Sequence, residues 1–136
     1  VLGIAAFLRG LMGEGALPGW YKELIATRVA SLNNCEYCVS AHRYLAAKRG
    51  ATPEQVAACD AYETGPFTEK AKAGFRYADV LHVSGHAVDD EAFTAVSEHY
   101  DSQEIIELTA VAAAFEFFTR MITALRIPVT PLPQGR

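Results

Sequence analysis

Between Gln103 and Leu125 the chain carries a segment that is apolar on almost every side: Ile105, Ile106, Leu108, Val111, Phe115, Phe117, Phe118, Met121, Ile122 and Leu125. A surface helix keeps a polar face, so a helix of this composition has to be covered from several directions. Its longest apolar stretch, Leu108 to Phe118, is interrupted by Glu116 and falls well short of the roughly 20 residues a membrane span needs. The segment therefore belongs to a packed core. A domain of 136 residues can hardly supply all of the cover alone, so the expected assembly is a homo-oligomer: a dimer, trimer or hexamer.

The rest of the chain reads as helix as well. Sustained apolar/polar alternation is missing, and there is no Asn-Gly or Asp-Gly pair to turn a hairpin. Pro18 opens a segment in which Leu24, Ile25, Val29 and Leu32 recur at helical spacing until Asn33-Asn34 interrupts it. Asn34 is then expected to cap a helix from Cys35 to Arg49, ended by Gly50. Thr52-Pro53-Glu54-Gln55 has the form of a capping box with Pro at the first helical position, starting a short helix to about Tyr62. Thr68 is expected to cap a helix to about Val83, Asp89 one to about His99, and Ser102 the long apolar segment. Pro128, Pro131 and Pro133 cannot continue that helix and make the C-terminal stretch an extended arm. The expected fold is all-α, one domain over residues 1–136.

Charge and leader signals narrow the setting. With 51% hydrophobic residues, a net charge of −4 and no basic run of five, neither nucleic acid nor an anionic membrane is an expected partner. The N-terminus shows no basic leader before an apolar run and a small-residue cleavage site, and the expected compartment is the cytoplasm. Three cysteines do not make a secreted disulfide framework.

Two of those cysteines carry the chemistry. Cys35 and Cys38 are spaced i, i+3, which on a helix puts their Cβ atoms about 5–6 Å apart on one face, near disulfide reach. Both fall in the expected first turn, where free N–H groups and the positive dipole end favour a thiolate. His42 follows Cys38 by one turn and is placed to take its proton. Glu23, on the preceding helix, is the group expected to hold the imidazole's tautomer. Zinc is an alternative use of Cys35, Cys38 and His42, with Glu23 or Cys59 as a fourth ligand, although structural zinc usually spreads its ligands over two knuckles. Cys59 on its own reads as a core thiol. His82 and His86 are spaced i, i+4, but Ser84-Gly85 between them breaks a helix, and His99 carries no signal.

The order Glu23, eleven residues, Cys35-x-x-Cys38, three residues, His42, set within Arg28-Val29-Ala30-Ser31-Leu32-Asn33-Asn34-Cys35-Glu36-Tyr37-Cys38, resembles the AhpD-like alkylhydroperoxidases of the carboxymuconolactone decarboxylase superfamily. Gly65-Pro66-Phe67-Thr68-Glu69-Lys70, Glu107-Leu108-Thr109 and the stretch from Arg120 to Pro128 extend the resemblance over most of the chain. It implies an all-helical fold, a homo-oligomer, and reduction of alkyl hydroperoxides or hydrogen peroxide through a Cys35-Cys38 disulfide. Glu23, His42 and Cys38 would form the proton relay and Cys35 the resolving thiol. The resemblance implies no cofactor beyond an external thiol or disulfide-reductase electron donor. Better-studied members have a second His between the cysteines; this chain has Tyr37, an auxiliary hydrogen-bonding group that is a poor base at neutral pH. Which thiol attacks stays open on position alone: nearness to the helix N-terminus favours Cys35, nearness to His42 favours Cys38. A lactone decarboxylase, which needs no cysteine pair, and a non-enzymatic redox sensor are the competing expectations.

Overall fold

The computed structural model describes residues 2–133, and among these the regular structure is helical throughout, with no strand. Seven α-helices run in chain order: α1 (Leu2–Met12), α2 (Gly19–Leu32), α3 (Glu36–Lys48), α4 (Pro53–Ala57), α5 (Glu69–Val83), α6 (Asp90–Ser97) and α7 (Ser102–Ala124). Two 3₁₀ segments, Cys59–Thr64 and Gly85–Ala87, join α4 to α5 and α5 to α6. Residues 127–133 carry no regular secondary structure, consistent with prolines that cannot continue the helix.

The helix starts follow from local chemistry. Thr52 and Gln55 exchange side-chain-to-backbone bonds of 3.1 and 3.0 Å, Thr68 accepts from the Ala71 amide, and Asp89 accepts from the Ala92 amide. Three starts or ends differ from expectation. The cap of α7 is Asp101, not Ser102: Asp101 and Glu104 form a second capping box with bonds of 2.9 Å. The helix begun at Pro53 stops at Ala57 and tightens into the 3₁₀ segment before reaching Tyr62. Asn34 does not cap α3. It lies in the left-handed region, φ 53°, and ends α2, with the Cys35 amide donating back to the Ala30 carbonyl at 2.9 Å. Asn suits a left-handed C-terminal position as well as an N-cap, and here the first preference prevails. Cys35 takes the N-cap position of α3. Gly50, at φ 109°, ends that helix as expected. The first helix, α1, has no counterpart among the expected elements.

The hub of the molecule is α2 rather than α7. Tyr21 to Thr27 are all buried, and α2 packs on α3, α5 and α7. Leu24, Ile25, Val29, Phe75, Leu108, Val111 and Phe115 form the centre of the core. α7 turns Ile105, Leu108, Val111, Phe115 and Phe118 inward but leaves Ile106 69% and Phe117 50% exposed. Among the described residues no helix is long and apolar enough to cross a membrane.

Candidate functional site

The site forms where α2 and α3 lie side by side. Because Cys35 both receives the end of α2 and begins α3, its thiol sits at the junction, and Cys38 follows within the first turn of α3. The two sulfurs are 2.8 Å apart, hydrogen-bonded and unlinked. A small closure would bring them to the S–S bond length of about 2.05 Å. Both thiols are buried, 3% and 1% exposed, against Ala30, with Tyr37, Val39 and Ile122 packed around them.

Glu23 comes from the middle of α2 and His42 from the second turn of α3. Their side chains meet, with Glu23 Oε2 2.6 Å from His42 Nδ1. Sequence spacing pairs these two residues, and the fold brings them into contact. A carboxylate that accepts from Nδ1–H leaves Nε2 as the imidazole's basic nitrogen, on the helical face shared with Cys38 one turn earlier. Phe115 of α7 closes the other side of the ring, edge-on, with centroids 4.6 Å apart.

Burial decides the state of the Cys38 thiol. The expected helix-terminus activation of Cys38 does not prevail: desolvation, reinforced by the hydrogen bond and proximity of Cys35, pushes its thiol well above the usual cysteine range. Such a thiol is protonated at neutral pH and reacts only if a base removes its proton during the reaction. Cys59 is apart from this pair. It is fully buried, donates to the Leu24 carbonyl at 3.3 Å, and burial pushes its thiol up to about 12. It is the core residue its sequence context suggests.

Arg49 is the residue that sequence reasoning missed. Its Nε lies 3.4 Å from Glu23 Oε1, and Nη1 donates to the Met12 carbonyl. Both oxygens of Glu23 are therefore engaged, which is what allows a carboxylate only 2% exposed to remain in the core. Arg49 is the last residue before Gly50, and a basic residue at a helix end has an ordinary explanation, so nothing local signals this contact. His82 pairs with Glu116, not with His86. Among the described residues no three Cys, His, Asp or Glu side chains converge into a set able to hold a metal ion.

The sequence profile of the carboxymuconolactone decarboxylase family matches residues 3–80, which contain α1 apart from Leu2, α2 to α4, the whole Glu23–Cys35–Cys38–His42 constellation and most of α5. The chain belongs to this family. It is 29% identical over 112 residues to the uncharacterized protein YnjA of Escherichia coli, covering 82% of this chain and 62% of YnjA. The chain thus spans less than two thirds of that relative's length. Among solved structures, an Agrobacterium tumefaciens protein of unknown function, named as an AhpD antioxidant defence candidate, superposes with a TM-score of 0.87 at 20% identity. That match covers 96% of this chain and 90% of the other. The debrominase Bmp8 superposes with a TM-score of 0.85 at 21% identity, covering 95% of this chain and 70% of its own. The fold is the AhpD-like one. At these identities the likeness extends to the fold, and the same scaffold serves an enzyme named for debromination.

Proposed function

We propose that this AhpD-like chain is a thiol-dependent peroxidase that reduces alkyl hydroperoxides or hydrogen peroxide. The observation that carries the reading is the 2.6 Å contact between the buried Glu23 carboxylate and His42 Nδ1, one turn from a pair of hydrogen-bonded thiols. A buried carboxylate–imidazole couple beside a thiol held protonated by its surroundings is the arrangement general-base activation needs. His42 Nε2 takes the Cys38 proton as the sulfur attacks the terminal peroxide oxygen. The O–O bond breaks, the leaving alkoxide receives that proton and departs as alcohol, and Cys38 becomes a sulfenic acid. The Cys35 thiol then attacks the same sulfur, water leaves, and the Cys35-Cys38 disulfide closes. Two equivalents of an external thiol restore the dithiol and leave as their own disulfide. Family membership and the AhpD-like fold support the reading, and the chain's own residues supply every group the cycle requires except the reductant.

The test is a free-thiol titration before and after tert-butyl hydroperoxide, on the wild type and the Cys35→Ser and Cys38→Ser variants, with peroxide turnover followed under several thiol donors. The wild type is expected to lose two thiols per chain and to turn over. Cys38→Ser is expected to be inactive, and full thiol-dependent turnover in that variant would refute the assignment. A second reading, a redox sensor without turnover, is favoured by one observation: both thiols are almost completely buried. Disulfide formation with peroxide but no sustained consumption under any donor would select it. Lactone decarboxylation requires neither thiol, so activity surviving their alkylation would point there.

A further inference from the structure

Glu116 interrupts the apolar run of α7 and His82 lies in the last turn of α5, and neither takes part in the chemistry above. In the fold they meet. His82 Nδ1 is 2.6 Å from Glu116 Oε1, while Glu116 Oε2 accepts from Asn33 Nδ2 at 3.0 Å. Arg120, one turn further along α7, comes within 3.8 Å of that second oxygen. Asn33 is held to its own helix as well, Nδ2 donating to the Val29 carbonyl at 3.1 Å. A carboxylate suits this place because its two oxygens offer about four acceptor sites, enough for all these donors at once.

Asn33 is two residues before Cys35. Between them stands Asn34 in the left-handed conformation, a turn that an L-residue adopts at some cost and that persists when its surroundings hold it. The same helix that supplies Glu116 supplies Ile122, packed against the two thiols. The turn that delivers Cys35 is thus clamped to α7 at Asn33, and the thiols rest on α7 one and a half turns later.

We propose that Glu116, oriented by His82 and acting through Asn33, is a positioning residue for the thiol pair: it fixes the Asn33-Asn34 turn so that Cys35 is presented to Cys38 ready to close a disulfide. The inference rests on reading the pair as redox-active. Closure is intramolecular, and its equilibrium is set by the effective concentration of one thiol at the other, which rises as the two are pre-organised. Releasing the turn lowers that concentration without altering either sulfur's chemistry.

The experiment equilibrates the protein with glutathione and its disulfide. The Cys35-Cys38 dithiol gives two electrons and two protons to glutathione disulfide, which leaves as two thiols, and acid quenching with alkylation reads the ratio. Glu116→Ala and Asn33→Ala are expected to lower the equilibrium constant for disulfide formation by about fivefold or more. Glu116→Gln keeps an acceptor for Asn33 and is expected to stay within about twofold of the wild type. Thermal midpoints recorded alongside separate this from a merely structural role, which would move the midpoint and leave the equilibrium constant unchanged. Wild-type equilibrium constants in both alanine variants would overturn the proposal, and if Glu116→Ala does not fold, Asn33→Ala decides alone. No peroxide enters the assay. A peroxide-inert wild type with shifted variants would sink the peroxidase and leave the positioning role standing; an active enzyme with unshifted variants would do the reverse.

Discussion

Glu23 is a buried carboxylate met by one partly buried and one exposed neighbour. His42 and Arg49 take one oxygen each, so replacing the carboxylate affects them differently. Glu23→Gln keeps the size and an acceptor but removes the charge that stabilises an imidazolium. On the proposed mechanism it should lower peroxide kcat/KM by about 10²-fold, within the range of general-base contributions, with a much smaller change in thermal midpoint. Unaltered kcat/KM would remove Glu23 from the relay. The Glu23–His42 pair is legible in the sequence because helical phase is a local property: Cys38 and His42 one turn apart define a face, and a carboxylate on the preceding helix is the nearest candidate to meet it. Arg49 is not legible, because its reach to Glu23 depends on how α2 and α3 pack along their length. The raised Cys38 thiol escapes the sequence for a related reason. The helix terminus can be read from spacing, whereas desolvation depends also on the packing that brings Ile122 of α7 onto the thiols.

Among the elements, most helices can be read from the sequence, through a capping side chain where there is one and through apolar spacing between breaks in α2 and α3, which have none. Thr52, Thr68 and Asp89 announce their helices; α1, which runs from Leu2 with glycines at positions 3 and 10, offers no such signal. Asn34 shows how one residue type serves two opposite ends. Helix α5 carries a departure that propensity would mislead: Gly74 lies in its interior, where Ala would be preferred by about 1 kcal/mol. A methyl there would run into the hydroxyls of Tyr21 and Tyr100. Those hydroxyls bond the Ala71 and Lys70 carbonyls at 2.7 and 2.6 Å, so they have little freedom to give way. Gly74→Ala is therefore expected to lower the thermal midpoint, and a gain would contradict this packing. Helices α2 and α7 are joined by Lys22 and Glu107, 2.6 Å apart, with Lys22 1% exposed. Burial alone would raise the Glu107 carboxyl, but the bonds from Lys22 and from the Ala16 and Leu17 amides outweigh it and hold it below the usual range. A depressed carboxyl stabilises the fold above its unfolded value of about 4.3 and stops doing so as pH falls through the lower folded value. In urea titrations the stability difference between wild type and Glu107→Gln should shrink from pH 6 towards pH 3; a difference independent of pH would count against the pair.

At the scale of the molecule, the expected need to cover the Gln103–Leu125 segment from several directions is met within the chain on the inner side of α7, where Leu108, Val111 and Phe115 are buried. The most enclosed helix is α2, and it can be so despite Lys22 and Glu23 because each of those charges meets a partner from another element. Sequence periodicity sees the charges and not their partners, so α2 looks less buried than it is. α7 leaves an apolar strip uncovered: Ile106 and Phe117 are three turns apart on its outer side, with Ala113 exposed between them. Phe117 also touches Phe118, which meets Phe7 of α1, so the strip continues towards α1, where Phe7 is half exposed. Leaving large apolar side chains in water forgoes about 1.5–3 kcal/mol each relative to burial. A second copy presenting the same strip would recover it at both surfaces, as self-complementary contacts in symmetric oligomers do. We therefore expect the protein to sediment as an oligomer at micromolar concentration, and Ile106→Lys with Phe117→Lys to sediment as a folded monomer with unchanged helical content. A wild type that sediments as a monomer would mean that α7's outer face is simply solvated. An oligomer that survives both lysines would mean that subunits meet through another surface.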